Sequence, residues 1–327
     1  AGPAAPATVP TAPIPGPPAK ERHRRWPWVV VCVLVLLLAW PAYLVWDTNA
    51  NLHHVDALVP GPDTPGTTYL LAGSDERPEG VQTDIEGART DSILMIHVAP
   101  NGQTSMVSLP RDTYVEIPGY GWNKLNASFS FGGPQLLVET VQNMTGVTID
   151  HYAQINMDGV SALVDAVGGV NLCMDFDAVD HHSGLDWKAG CHDADGETAL
   201  AFARMRYEDP RGDLGRAQRQ REVITAVTGK VLTPSIIFNP FQQQRLARAG
   251  TETLTVDQTM NVFGIAKLML AFRAASNSNL TGVPPLSSVS EMTNVGSVVL
   301  LDEAAAPEFF ASMLAGTLTS ADFDTTY

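Results

Sequence analysis

Nineteen consecutive residues, from Trp28 to Trp46, carry no charge, and this run restricts the fold more tightly than any other part of the chain. As a helix it is long enough to cross the hydrocarbon core of a bilayer, where each backbone polar group must be satisfied within its own segment. Trp26, Trp28, Trp40 and Trp46 stand toward its ends, where indole rings favour the headgroup level. The run is longer than the apolar stretch of a cleaved signal, about 7 to 15 residues, and no clean small-x-small site comes after it. It therefore reads as an uncleaved anchor. Lys20, Arg22, Arg24 and Arg25 precede it, which predicts a single-pass cell-membrane protein with a cytoplasmic N-terminus and everything from Asp47 onward outside. Residues 1–25 hold seven prolines by position 18 and read as a disordered cytoplasmic tail.

Charge divides the chain at the same place. The total is −15, and the first 46 residues hold four basic groups and one acidic, so the rest carries −18. An acidic surface of that size excludes nucleic acid as a partner, since phosphate contact needs a broad basic face. Of the three cysteines, Cys32 lies in the apolar run; Cys173 and Cys191 form an even pair for an oxidising compartment and read as a disulfide. A metal site using Cys191 and the nearby histidines is the rival reading, without CxxC or HxxxH spacing to support it.

The remainder alternates strand and helix signals. Strands are expected at Tyr69 to Gly73, Ser92 to Ala99 and Thr104 to Leu109, the last two joined by a Pro100-Asn101-Gly102 turn. Further strands are expected at 152–156, 170–174 and 295–301. Apolar periodicity predicts helices over 134–144, 158–167, 194–203, 216–231, 257–274 and 307–314. This order predicts an α/β fold of α-β-α type, a mixed central sheet covered by helices, over 67–327. Residues 26–46 form the transmembrane helix and 47–66 a linker.

Six of the 12 arginines beyond residue 46 fall between 204 and 221, an arrangement that in an acidic domain calls for an anion. Arg216, Arg219 and Gln220 occupy i, i+3 and i+4 of a helix and share a face. Arg204 and Arg206 share a side only if the helix ends near Ala203 and the chain then runs extended. Guanidinium forks suit a diphosphate because they give bidentate, permanently charged hydrogen bonds. The alternative is a solvated face paired with Glu208, Asp209, Asp213 and Glu222. Asp75 comes just after one strand and Asp91, beside Arg89, just before another; two such carboxylates suit Mg²⁺, which commonly takes one or two plus phosphate oxygens, and the rival reading is a pair of loop caps. Arg111 adds a cation at a third strand end. There is no GxSxG and no P-loop.

The segments LLAGSDERPEG, GARTDSILMIHV, VSLPRDTYVEIPGYGWNKLNASFSFGG, MDGVSALVDAVGGVNL, GETALAFARMRYED and DLGRAQRQREVI, in this order after one anchor, resemble the LytR-CpsA-Psr family, actinobacterial type. The resemblance runs from about Thr68 to about Leu232. It implies a phosphotransferase that moves a glycopolymer from a polyprenyl diphosphate carrier to a peptidoglycan hydroxyl outside the membrane, releasing polyprenyl phosphate. Asp75 and Asp91 would bind Mg²⁺ or Mn²⁺, with Arg89 beside the scissile diphosphate. Arg89, Arg111, Arg204, Arg206, Arg216, Arg219 and Gln220 would hold the phosphates, and Asp91 or Asp75 would take the hydroxyl proton. On this reading Arg219→Ala strongly reduces transfer and leaves folding nearly intact. Two other readings stay open: a polyprenyl diphosphate hydrolase, and a non-catalytic binder of lipid-linked glycan.

Overall fold

A computed structural model describes residues 26–74, 90–156, 159–206, 208–209 and 213–323. Helix α1, Trp26–Asn51, contains the apolar run and continues five residues beyond Trp46. After it come β1 His53–Val55, β2 Thr67–Ser74, β3 Thr90–Val98, β4 Thr104–Leu109, β5 Tyr114–Ile117, β6 Gly121–Lys124, α2 Leu125–Thr145, β7 His151–Asn156, α3 Val160–Ala166 and β8 Val170–Met174. Next are β9 Ala178–Asp180, β10 Leu185–Trp187, β11 Gly190–Ala194, α4 Gly196–Arg204, α5 Asp213–Val231, α6 Pro234–Ile237, α7 Pro240–Thr253 and β12 Leu254–Asp257. The last elements are α8 Val262–Asn277, β13 Thr281–Gly282, β14 Leu286–Thr293, β15 Gly296–Leu301 and α9 Ala305–Ala315. The expected disordered tail, 1–25, lies outside the described residues.

Seven strands form the central sheet, ordered β1-β12-β7-β2-β3-β4-β13. Pairing is parallel for β1 with β12, β7 with β2 and β4 with β13, and antiparallel elsewhere, so the sheet is mixed as expected. Strand alternation sorts its side chains into two cores. Tyr69, Leu71, Leu94, Ile96 and Met106 pack with Phe202, Val223 and Phe272 of α4, α5 and α8. Leu70, Ala72, Ile93, Met95 and Val107 pack with Leu137, Val138 and Val141 of α2 and Phe309 and Phe310 of α9. The result is the expected three-layer α-β-α arrangement.

Several expectations need correction. The segment 47–66 is not simply a linker: His53–Val55 joins the sheet edge beside Thr255, Val256 and Asp257. The helix expected over 257–274 begins at Val262, because the chain before it is strand β12 and a turn capped by Asn261, which accepts from the Phe263 and Gly264 N–H groups at 3.0 and 3.1 Å. α2 starts nine residues before the expected Pro134, interrupted at Gly132 and Gly133, the latter at φ +66°. Cys173 and Cys191 occupy paired positions on β8 and β11 and form the disulfide, which decides between the two readings of those cysteines.

Asp257 is fully buried where β12 ends. It accepts from the Tyr152 N–H at 2.9 Å and the Thr259 N–H at 2.8 Å, and His151 Nδ1 stands 3.4 Å away. Burial alone would raise its pKa, but the nearby His151 ring and the bonds from Thr259 and Tyr152 outweigh it and hold the carboxyl at about 2, against an ordinary 3.8. A depressed folded-state pKa adds stability that is complete above the unfolded value and disappears as pH falls through the folded one. We expect Asp257→Asn to cost about 2 kcal/mol at neutral pH. In urea titrations of the detergent-solubilised chain, that difference from wild type should be constant above about pH 5 and shrink between pH 3.8 and 2. A difference independent of pH would refute the assignment.

Candidate functional site

One edge of the sheet gathers the strand-end residues singled out in the sequence. Ser74, the residue before Asp75 in the sequence, pairs with Thr90, the residue before Asp91, across β2 and β3. Ile93 pairs with Leu109 across β3 and β4, so Arg111, two residues past Leu109, continues toward the level of Asp91. Asp75 and Arg89 themselves lie outside the described residues; Asp91 is the second residue of β3. The same edge carries Asn156, paired with Ser74. It also carries the starts of β12 and β1, since Leu254 pairs with Ile155 and His53 with Thr255. The last turn of α1 therefore delivers the chain to the edge where the candidate residues meet. His53 is three strand positions from Ser74, roughly 14 Å at about 4.8 Å per strand. Beside it, Asp47, Thr48, Asn51 and His53 line a cleft of about 530 Å³ with Ala247, Arg248, Thr251 and Glu252 of α7.

The second group forms at the α4–α5 junction. Asp195 caps α4, accepting from the Thr198 N–H at 2.9 Å, and the helix ends at Arg204. Met205 then turns to φ −53°, ψ 135°, and so breaks the helix between Arg204 and Arg206. Both arginines are exposed, and Arg216 is half-buried on the first turns of α5. Arg211 lies outside the described residues. Gln220 is only 5% exposed, and its Oε1 has no hydrogen-bond partner among the described residues. Rotated, that amide presents N–H donors to an anion. Arg221 is half-buried, and burial pushes its pKa down.

Arg219 behaves differently from the expectation. Its side chain is 4% exposed, Nε donates to the Phe202 carbonyl at 3.0 Å, and the two terminal nitrogens donate to the Asp209 carboxylate and the Met205 carbonyl. These bonds satisfy carbonyls left open at the end of α4 and fasten the segment carrying Arg204 and Arg206 onto α5. A side chain at Gly215 would collide with the Asp209 carboxylate, so only glycine permits the approach. The neighbouring Glu222 accepts the Cys173 N–H at 2.8 Å, linking α5 to the disulfide-bonded strand; burial pushes its pKa up.

Arg219→Ala would take a buried guanidinium from the Asp209 carboxylate and the donors from the Phe202 and Met205 carbonyls, a loss the fold does not absorb without cost. We expect it to cost about 3 to 5 kcal/mol in urea unfolding. Replacing both partners with apolar residues, Arg219→Met with Asp209→Leu, should recover most of that loss. A single variant as stable as wild type would remove the pair from this role.

Among the described residues, no three His, Cys, Asp or Glu side chains gather as a metal site. Position 75 directly succeeds Ser74 and position 91 directly succeeds its partner Thr90, so the sequence puts an aspartate next to each member of one strand pair. That donor set suits a hard divalent cation.

Comparison with known proteins agrees with this reading of the fold. The model of the LytR_cpsA_psr family matches residues 47–306. The Corynebacterium glutamicum protein described as probable cell wall biosynthesis protein LcpB is 39% identical over 276 residues, covering 81% of this chain and 66% of that protein. The Enterococcus faecalis polyisoprenyl-teichoic acid–peptidoglycan teichoic acid transferase TagU is 39% identical over 210 residues, 64% of this chain and 66% of that one. The chain thus spans just under two thirds of the length of these relatives. A LytR-Csp2A-Psr enzyme from Actinomyces oris shares the fold, with a TM-score of 0.62 at 22% identity over 80% of this chain and 95% of that one.

Proposed function

Because the chain belongs to the LytR-CpsA-Psr family, we propose that it is a glycopolymer phosphotransferase acting at the outward-facing membrane–water boundary. It takes a polymer from a polyprenyl diphosphate carrier and joins it to a sugar hydroxyl of peptidoglycan, releasing polyprenyl phosphate. One observation carries the reading: the strand ends that hold Asp91, precede Asp75 and lead into Arg111 share a sheet edge with the chain's exit from α1. The apolar run stops at Trp46, five residues before α1 ends at Asn51, about 8 Å of helix. A carrier embedded in the same bilayer presents its diphosphate near that level.

The acceptor oxygen attacks the sugar-linked phosphorus, forming the new P–O bond as the bond to the lipid phosphate breaks. Charge spreads over the non-bridging oxygens as the transition state forms. Arg204, Arg206 and Arg216, with the amide of Gln220 and with Arg89 and Arg111 from the sheet edge, supply donors for that charge. Fixed donors of this kind favour the transition state over the ground state. Arg219 acts as a positioning residue, holding the segment that presents two of these donors. The carboxylate of Asp91 or Asp75 accepts the hydroxyl proton. Mg²⁺ or Mn²⁺, held by Asp75 and Asp91, would supply charge neutralisation at the diphosphate.

The test is transfer from a radiolabelled polyprenyl diphosphate glycan to peptidoglycan by the full chain in vesicles. Arg206→Ala, an exposed position, should lower transfer about 100-fold while stability stays within about 0.5 kcal/mol of wild type. EDTA should abolish transfer and added Mg²⁺ restore it. Lipid phosphate released equally fast without acceptor would make the protein a hydrolase. Carrier binding without turnover would make it a binding protein.

A further inference from the structure

The β5–β6 hairpin has two faces of opposite character. Val115 and Ile117 point inward and are buried in the α2-side core. Tyr114 pairs with Lys124 and Glu116 with Trp122, and these four alternate to the outer face. Trp122 is 56% exposed, its ring 5.2 Å from that of Tyr114. At the hairpin tip Tyr120, equally exposed, stacks on Phe131 with centroids 4.8 Å apart and planes within 18°. Glu116 is exposed, with no hydrogen bond or ion pair among the described residues. Tyr114 and Trp122 on the ribbon, Tyr120 at its tip and Phe131 on α2 form two exposed aromatic pairs, beyond the singly scattered apolar residues normal on a surface.

We propose that this outer face is the subsite for pyranose rings of the acceptor glycan, an inference that rests on the transfer reading above. The axial C–H groups of a pyranose form an apolar, slightly positive face that packs on the negative face of an aromatic ring. Glu116 offers a carboxylate to the equatorial hydroxyls and amides. The hairpin is joined to the candidate site: Arg111 Nε lies 3.5 Å from Asp112, which accepts from Lys124 Nζ at 2.9 Å on the ribbon's own face. Tyr114 follows Arg111 by three residues through a turn, so the two Cα atoms lie within about 10 Å, which one or two sugar rings bridge.

Placement in the layers selects acceptor over donor. The α4–α5 arginines belong to helices on one side of the sheet, and the hairpin packs on the other. Phosphoryl transfer proceeds with attacking and leaving oxygens roughly in line. With the leaving lipid phosphate held from the arginine side, the attacking hydroxyl enters from the hairpin side.

Two measurements on the full chain in detergent test this. Calorimetric titration with peptide-free peptidoglycan glycan chains should show binding by wild type and a loss of about tenfold or more in Trp122→Ala, with Tyr120→Ala also weakened and Trp122→Phe near wild type. In the transfer assay Trp122→Ala should raise the acceptor KM by the same factor and leave donor KM and melting temperature unchanged. An unchanged acceptor KM, a shift in donor KM instead, or no glycan binding by wild type overturns the proposal. Normal wild-type turnover with an unchanged variant sinks the subsite alone; glycan binding that depends on Trp122 without any turnover sinks the transfer reading and keeps the subsite.

Discussion

A buried ion pair between Asp209 and Arg219 ties the candidate anion site together. Two charges removed from water are stabilising only when every remaining donor and lone pair is satisfied. Here the guanidinium also takes the Phe202 and Met205 carbonyls, and the aspartate fits against α5 because position 215 is glycine. Removing the pair would loosen the fastening of the Arg204–Arg206 segment to α5 even though neither arginine is mutated. The pair thus sets where two exposed cations stand, and its energetic cost is offset by order in a segment that otherwise leaves helix carbonyls open.

The sheet positions the other candidate group through register. A one-residue slip between β2 and β3 would turn every core residue of one strand toward the opposite layer. Leu70 and Leu71 each sit in a different, fully packed core, so the register is fixed on both faces. Fixed register is what brings the positions after Ser74, beside Thr90 and past Leu109 to one edge. The buried Asp257 anchors the neighbouring strand, and β1 completes the edge with the segment that leaves α1.

Much of this was legible in the residues. Pro100-Asn101-Gly102 marked the β3–β4 turn. The periodicity from Pro307 marked α9, whose entry Asp302 secures by accepting from the Ala304 and Ala305 N–H groups, both at 2.9 Å. The even pair of cysteines pointed to the bridge that β8 and β11 align. Other elements left no adequate signal. β1 is three residues with two histidines, and its pairing partner lies some 200 positions away. Helix α7 carries Gln242-Gln243-Gln244 in its first turns and buries only Ala249, Thr251 and Thr253, so it has no apolar stripe to read. The β5–β6 strands are four residues each, with aromatic rings on the outer face as well as apolar residues on the inner one, which blurs the usual inside–outside pattern.

By itself the sequence determined the apolar run, the acidic character of the chain beyond it, the alternation of strands and helices, and the concentration of arginines between 204 and 221. These are properties of composition and local periodicity, readable wherever neighbours along the chain share one environment. Tertiary structure alone decided what each arginine does. Arg216 and Arg219 have the same spacing-derived claim to a helix face, yet one is half-buried and the other closed within the protein. The difference lies in Asp209, ten residues upstream of Arg219, and in the carbonyls that α4 leaves unpaired. Burial and hydrogen-bond demand are set by segments that meet only after folding, so no window along the chain records them.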